Sequence, residues 1–422
     1  MTARGTGGER SRPAQTMRDD AREIVERSIR AVMPDEAVRR ALAGRSFSGR
    51  VVLIAAGKAA WQMAKTAYEL LGGDIAGGVV VTKYGHVKGP IGNLRCVEAG
   101  HPVPDENSFR GTHFALDAVA DLTAEDTVLF LLSGGGSALF EQPLLSGEEL
   151  RDITAQLLAS GADVVEMNTV RKRLSAVKGG RFARFCAPAR VFSVILSDIL
   201  GDPPDMIASG PAAPDPSTCA DAKRVAAKYG LRLSETAAAL LERETPKTLD
   251  NVEARVVGSV RELCAAAARA CAALGYEPFV LTDRLCCQAR EAGSFLASVA
   301  RTHASDGVPR AFLAGGETVV RLTGNGKGGR NQELALAAAE GIAGLPNALI
   351  FSFGSDGTDG PTDAAGGLVD GSTAEALAAR GVSICEALER NDAYHALERA
   401  DGLLRTGPTG TNVNDVAVVL LR

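Results

Sequence analysis

The stretch TVLFLLSGGGSALF, residues 127–140, decides how the rest of the chain is read. Its apolar residues run without alternation into three glycines, Gly134, Gly135 and Gly136, flanked by Ser133 and Ser137. A strand with one face in water alternates apolar and polar side chains, so an unbroken apolar run describes a strand covered on both faces. VVLIAAG (51–57) and RVFSVILSD (190–198) repeat the pattern, and GGVVVTK (77–83) and LRCVEAG (94–100) are shorter versions of it. Helical segments stand between them, among them KAAWQMAKTAYELL (58–71) and the region from Phe114 to Leu122. Buried strands alternating with helices predict a parallel sheet with helices on both faces, an α/β fold. Functional groups in such sheets gather beyond the carboxyl ends of the strands, which is where this chain places its glycines and charges.

Outward from that core, Asp19 and Asp20 open a helix carrying Ile24, Ile29, Val32 and Met33 at helical spacing, and Pro34 ends or interrupts it. The polar stretch ERETPKTLDNVEARVV (242–257) is the expected domain boundary, dividing an N-terminal domain, 19–248, from a C-terminal domain, 249–422. The second block holds a helix from Val260 to Leu274, the strand EPFVLTD (277–283), the segment AFLAGGETVVRLTG (311–324), the helix NQELALAAAEGIAG (331–344), ALIFSFGSDG (348–357) and a terminal strand VAVVLL (416–421). Residues 1–18 read as a flexible leader without the apolar stretch of a signal peptide. A net charge of −5 gives no footprint for nucleic acid or for an anionic membrane surface. No apolar run approaches the roughly 18 residues of a membrane span. The eight cysteines contain no C-x-x-C spacing, which points away from a zinc cage or a disulfide framework and toward a reduced cytoplasm.

Four features can carry chemistry. Ser133–Ser137 joins a buried strand to a turn of helix, and glycines there let main-chain N–H groups approach an anion such as a phosphate. Gly57–Lys58 sits at a second strand-to-helix junction and offers an ammonium at the strand ends, without the spacing of a Walker A loop. GNGKGGRNQE (324–333) contains a formal G-x-G-x-x-G, yet the acidic residue that a dinucleotide site needs about 20 positions on is missing. Its Arg330, at a helix start, suits bidentate contact with a phosphate or carboxylate. Two acidic loops, with Asp198, Asp202 and Asp205 in the first and Asp356, Asp359 and Asp363 in the second, follow strands and suit Mg²⁺. His101 stands in a distinctive loop, where a structural hydrogen bond explains it as well as catalysis does.

The wording of these segments goes further. GKAAWQM (57–63), EAGHPVPDENS (98–108), LFLLSGGGSALFEQP (129–143), NTVRKRLSAVKGGRFA (168–183), LSDILGDPPDMIASGP (196–211), AGGETVVRLTGNGKGGRNQELAL (314–336), GSDGTDGPTDAAGGLVD (354–370) and TGPTGTNVNDVAV (406–418) together resemble the class II glycerate kinases. That family was formerly labelled hydroxypyruvate reductase, and its C-terminal part is called MOFRL. The resemblance runs from about residue 20 to the C-terminus. It implies a Rossmann-like N-terminal domain with a parallel sheet, a smaller C-terminal α/β domain, and an active site in the cleft between them. It further implies transfer of the γ-phosphoryl group of ATP to D-glycerate with Mg²⁺, giving 2-phosphoglycerate and ADP. On that reading Ser133, Gly134, Gly135, Gly136 and Ser137 cradle phosphate. Lys58 and Arg330 stabilise the transferring group or hold the glycerate carboxylate. Asp198, Asp356 and Asp363 serve the metal or the substrate hydroxyl. The chain departs from the pattern at Ala212, where a threonine is usual, and at Asp392–Ala393–Tyr394. The rival expectation is an NAD(P)H-dependent hydroxypyruvate reductase, and a non-catalytic sensor is the third. The expected partners are small molecules, with no nucleic acid and no membrane; assembly into a homo-oligomer is left open.

Overall fold

The computed structural model describes residues 16–422, and the chain divides into two compact units. The larger unit comprises Arg30–Leu263 and Pro408–Asn414. Its six strands are β1 (Val51–Ala56), β2 (Ile75–Lys83), β3 (Leu94–Ala99), β4 (Thr127–Leu132), β5 (Arg190–Leu196) and β6 (Val252–Gly258). All pair in parallel, in the order β3-β2-β1-β4-β5-β6. The unbroken apolar runs follow from burial on both faces. Val51, Leu53, Ala55, Leu129 and Leu131 pack into the core on one side, and Val52, Ile54, Val128, Phe130 and Leu132 into the core on the other. On the second side Phe130, Phe140 and Phe182 pack together, with ring centroids 4.7–5.5 Å apart. This is the doubly wound arrangement of a Rossmann-like domain, as expected.

The smaller unit comprises Cys264–Gly407, Asp415–Arg422 and the described part of the chain up to Ile29. Its strands are β7 (Glu277–Leu285), β8 (Arg310–Gly316), β9 (Ala348–Gly354), β10 (Gly366–Asp370), β11 (Leu403–Leu404) and β12 (Asp415–Leu421). The order is β11-β10-β9-β12-β8-β7; β7 and β8 are parallel and every other pair is antiparallel. The helix Arg330–Gly341 lies against this sheet, with Leu334, Leu336, Ala338 and Ala339 in the core.

Two boundaries differ from the sequence reading. The division falls after Leu263 rather than at 248/249. The polar stretch proposed as a linker is woven into the larger unit: Thr245 Oγ1 donates to the buried Asp215 (2.7 Å), and Asn251 Nδ2 donates to Ala183 O and Ala189 O (2.9 and 3.0 Å). Its polarity serves internal hydrogen bonds, and β6 then completes the parallel sheet. Residues 1–15 of the expected leader lie outside the described residues, but its last residues do not form one. The helix Met17–Ala31 begins there, and Arg18 is bonded to Asp370 (2.6 Å) and to Asp401 O (2.8 Å). Asp20, read as a helix starter, is buried and accepts from Tyr276 Oη (2.6 Å) and Arg422 (2.7 Å). Pro34 does interrupt the first helix, standing at the start of a second one, Pro34–Leu42.

Beneath the carboxyl end of β4 the larger unit buries an ion pair, Lys178 Nζ and Glu141 Oε2, 2.9 Å apart and both fully enclosed. Burial pulls the Lys178 ammonium down to about 8, with Glu141 pulling the other way. Removing one partner strands the other charge in the core. We therefore expect Lys178→Met to cost about 3–5 kcal/mol of stability, and Glu141→Met/Lys178→Met to recover most of that loss. Calorimetric unfolding of the two variants checks this; equal losses would show that the pair contributes through packing alone.

Candidate functional site

The strand order of the larger unit reverses between β1 and β4, and a crevice opens beyond the carboxyl ends of strands at such a point. Two turns meet there. Lys58 N–H donates to Gly134 O (2.9 Å), Ser133 N–H donates to Ala56 O (3.0 Å), and Ala59 N–H donates to Ser133 Oγ (3.0 Å). Gly57 has φ 127°, and a side chain on it would collide with Ser133. This junction therefore requires glycine. Thr82 Oγ1 donates to Gly57 O (2.9 Å), and His86 Nδ1 donates to Lys58 O (2.9 Å). The main chain carrying Lys58 is thereby held from three sides.

The triple glycine brings three of the expected groups together. A methyl group on Gly134 would collide with the Asp198 carboxylate, while one on Gly135 (φ 85°) would lie 2.9 Å from His101 Cδ2 and 3.2 Å from Lys58 Cγ. Ser133 differs from its expected role. It is buried, its N–H donates to Ala56 O and its Oγ accepts from Ala59 N–H, so it fastens the turn. The helix after the glycines is a single turn, Gly136–Leu139, so its dipole adds little and the turn's own amides are what an anion would meet. Burial, with Lys58 next, pulls His101 down to about 4, so the imidazole is neutral at neutral pH.

In the smaller unit Arg330 begins its helix, as the sequence indicated, but its fork is engaged. Nε and Nη2 donate to Asp415 (2.5 and 3.1 Å), and Nη1 donates to Glu317 (2.8 Å). Asp415 is buried, which pushes its carboxyl up to about 6 against the pull of Arg330. Asp359 caps the same helix, accepting from the N–H groups of Asn331 (3.2 Å) and Gln332 (2.9 Å). Asp356 accepts from Thr358 N–H (3.0 Å), and a methyl group on Gly354 would lie 3.3 Å from both Asp356 Oδ1 and Asp415 Oδ1. Asp363 is turned elsewhere, to Tyr394 Oη (2.7 Å) and Arg405 Nε (3.0 Å). A carboxylate held by an arginine and a phenol suits a structural contact better than a metal.

The formal G-x-G-x-x-G has the wrong context for a dinucleotide. Gly326 N–H donates to Arg390 O (2.8 Å), and Gly324 N–H and Lys327 N–H donate to Asn391 and Asp392 (both 2.9 Å). Three of the loop's amides are thus already used, and no strand precedes the loop directly. Among the described residues no group of three or more His, Cys, Asp or Glu is arranged to hold a metal. Mg²⁺ sites need only one or two carboxylates when phosphates and water supply the rest, and Asp198 is the carboxylate that stands against the glycine turn.

Reading the sequence missed Asp415 and Glu317, the partners of Arg330, and Asn168, Arg171 and Ser209, which adjoin the glycine turn. Arg171 Nη2 donates to Ser137 O (3.2 Å), and Ser209 Oγ lies 2.9 Å from Ser137 Oγ. The one available signal was that each sits in a distinctive segment already singled out, 168–183, 196–211 or 406–418 for all but Glu317, which follows Gly315–Gly316 in 314–336.

The His101 environment has a measurable consequence. An unfolded chain takes up this proton near pH 6.5 and the folded one only near 4, so between these values the unfolded state binds more protons. Stability therefore falls as pH is lowered from about 6.5 to 4, and His101→Gln should remove that share of the slope. The His101 ring resonances should titrate near pH 4; a midpoint near 6.5 would show that the ring is not shielded.

Residues 20–242 match a domain family described as a domain of unknown function, DUF4147, and residues 310–415 match the MOFRL family. D-glycerate 2-kinase of Thermotoga maritima is 52% identical over 413 residues, 96% of this chain and 99% of that protein. Glycerate 2-kinase of Pyrococcus horikoshii is 41% identical, with 97% and 98% covered. An Agrobacterium vitis protein, 40% identical with 95% and 93% covered, bears the provisional name hydroxypyruvate reductase. The crystal structure of glycerate kinase from Thermotoga maritima matches with a TM-score of 0.94, covering 96% of this chain and 99% of that one. With its two matched domains in this order and relatives of this similarity over nearly its whole length, the chain belongs to the glycerate kinase family.

Proposed function

We propose that the protein is an ATP-dependent D-glycerate 2-kinase. The observation that carries this reading is the junction of Gly57–Lys58 with Ser133–Ser137 at the strand reversal, an amide-and-ammonium site of the kind that phosphoryl groups require. Phosphoryl transfer asks a protein to align acceptor and donor and to neutralise charge as it develops. The 2-hydroxyl of glycerate forms a bond to the γ-phosphorus, the bond to the bridging oxygen of ADP breaks, and the hydroxyl proton is lost. In this reading the amides of Gly134 and Gly135, which make none of the turn's internal hydrogen bonds, meet phosphate oxygens. Lys58 supplies a positive charge at the same place.

Arg330 serves the transferring group or the glycerate carboxylate. Asp415 takes Nε and one N–H of Nη2, and Glu317 takes one N–H of Nη1, so in this reading the second N–H on each Nη is what an incoming anion meets. Asp415 thus orients the guanidinium. Mg²⁺ would be held by Asp198 and would neutralise charge on the nucleotide phosphates. Asp356 remains a candidate for the substrate hydroxyl, whereas the contacts of Asp363 argue against either role for it. All eight cysteines are free, in keeping with a cytoplasmic enzyme of small-molecule substrates. The reductase reading is disfavoured by the engaged amides of the Gly324–Gly329 loop.

Lys58→Ala and Arg330→Ala should each lower kcat/KM by about 10²–10³-fold. Near-normal values for both would remove the assignment. The reaction of D-glycerate, ATP and Mg²⁺, followed by phosphorus NMR, should yield 2-phosphoglycerate. Oxidation of NADH by hydroxypyruvate in the absence of ATP would reverse the choice between kinase and reductase.

A further inference from the structure

Ser137 closes the glycine turn, and its hydroxyl begins a chain of hydrogen bonds that runs into the core. Ser137 Oγ and Ser209 Oγ are 2.9 Å apart, and Ser209 Oγ donates to Asn168 Oδ1 at 2.9 Å. Ser209 is fully buried and Asn168 is 4% exposed, whereas Ser137 is half-buried. The close approach depends on Gly136, where a methyl group would lie 2.6 Å from Ala208 Cβ. Ala208 and Ser209 both adopt left-handed backbone, φ 51° and 62°, a conformation unusual for residues with side chains. The segment is bent to bring this hydroxyl to the turn.

The chain has a direction. Asn168 Nδ2 faces Met206 Sδ at 3.9 Å, and a thioether sulfur is a weak acceptor with no hydrogen to give. The amide nitrogen belongs on that side and the amide oxygen toward Ser209, since the opposite orientation would set oxygen against sulfur. The single proton of Ser209 goes to Asn168. Ser209 Oγ must then receive the Ser137 proton, because each hydroxyl has only one. Reversing the order would leave a buried amide oxygen unsatisfied. Ser137 Oγ therefore presents lone pairs to a ligand and no proton. That mismatches a phosphate oxygen, which also only accepts, and matches a hydroxyl group.

The chain also ends on an amide oxygen, which takes no proton near neutral pH. It cannot carry a proton away from a reacting alcohol, so the hydroxyl it holds keeps its hydrogen. We propose that Ser137 Oγ accepts a hydrogen bond from the acceptor hydroxyl that is not phosphorylated, with Ser209 and Asn168 as positioning residues that fix it in that role. The inference rests on the kinase reading above and moves Ser137 from phosphate cradling to recognition of the acceptor. For a 2-kinase the hydroxyl in question is the one on C3 of glycerate.

D-lactate keeps the carboxylate and the 2-hydroxyl and lacks the 3-hydroxyl, so the ratio of kcat/KM for D-glycerate to that for D-lactate, at saturating ATP, reads the contact directly. Where turnover of D-lactate is too slow, its inhibition constant against D-glycerate replaces it. The wild type should prefer D-glycerate by roughly 10- to 100-fold, the worth of one hydrogen bond left unmade, and Ser137→Ala should bring the ratio toward one. Asn168→Leu frees Ser209 to donate back to Ser137 and so releases the fixed direction without touching the ligand; it should narrow the ratio by less than Ser137→Ala does, whereas a loss of packing alone would lower both substrates together. Ser137→Ala, at a half-buried position, keeps the test valid if the core variant folds poorly. An unchanged ratio, or a rise confined to the KM for ATP or to the Mg²⁺ requirement, overturns the inference while leaving the kinase reading intact. A wild type that phosphorylates no glycerate with ATP sinks both.

Discussion

The close approach of two turns at the ends of neighbouring parallel strands is the constraint on which the larger unit's site depends. β1 and β4 are hydrogen-bonded along their length, and the pairing continues past the strands into Lys58 N–H to Gly134 O and Ala59 N–H to Ser133 Oγ. Only a residue without a side chain fits at Gly57, because Ser133 occupies the space. The glycines at 134, 135 and 136 do the same for four other neighbours: Asp198, then His101 with Lys58, then Ala208. Four absent side chains therefore place a lysine, a carboxylate, a neutral imidazole and a hydroxyl chain around one short stretch of backbone. None of these groups is adjacent in sequence. The sheet order brings them together, and the missing β-carbons let them approach.

The two cations singled out by the sequence are held by different physics. Lys58 is positioned through its main chain, with its carbonyl and N–H both bonded to neighbouring turns, and the flexible side chain is left to reach. Arg330 is positioned through its side chain, clamped by Asp415 on one edge and touched by Glu317 on the other. A planar guanidinium suits this, because a fork fixed on two atoms by one carboxylate still directs its remaining donors. An ammonium at position 330 would have no such edge. The carboxyl groups also differ: burial pushes Asp415 up, so its negative charge is maintained by Arg330 at some cost, whereas the Glu317 side chain is 44% exposed.

Much of this was legible in the sequence where the pattern reports on packing. The doubly covered strands, the triple glycine at a strand end and Lys58 at another follow from apolar runs and glycine placement, and the structure brings Lys58, the turn and Asp198 together. What stayed hidden has a common cause: polar residues whose partners lie far along the chain. Asp415 meets Arg330 across 85 positions, and Asn168 meets Ser209 across 41. The misplaced domain boundary has the same origin, since residues 242–257 look like a solvated linker until Thr245 and Asn251 are seen bonded within the larger unit. A serine beside glycines suggests a ligand contact, while the N–H and Oγ of Ser133 both take part in bonds to the neighbouring strand end and turn. Acidic loops mislead in a similar way, for Asp359 caps a helix and Asp363 holds an arginine.

The segment 168–183 shows why a highly charged stretch need not touch a ligand. Lys172 is buried against Asp205 and Asp215, at 3.0 and 3.1 Å; Arg173 bonds Thr169 O and Ser217; and Lys178 pairs with Glu141. A buried pair of this kind is seldom a net gain in stability over apolar side chains of similar size. Its effect is geometric: each charge must meet one partner, so the backbone between them has one arrangement and not several. Asn168 and Arg171 stand at the near end of that segment, and they reach Ser209 Oγ and Ser137 O. The buried charges therefore act at a distance from any ligand. They fix the segment that fixes the hydroxyl chain, and a glycine turn that is free of side chains, and so has little rigidity of its own, acquires a definite shape from outside.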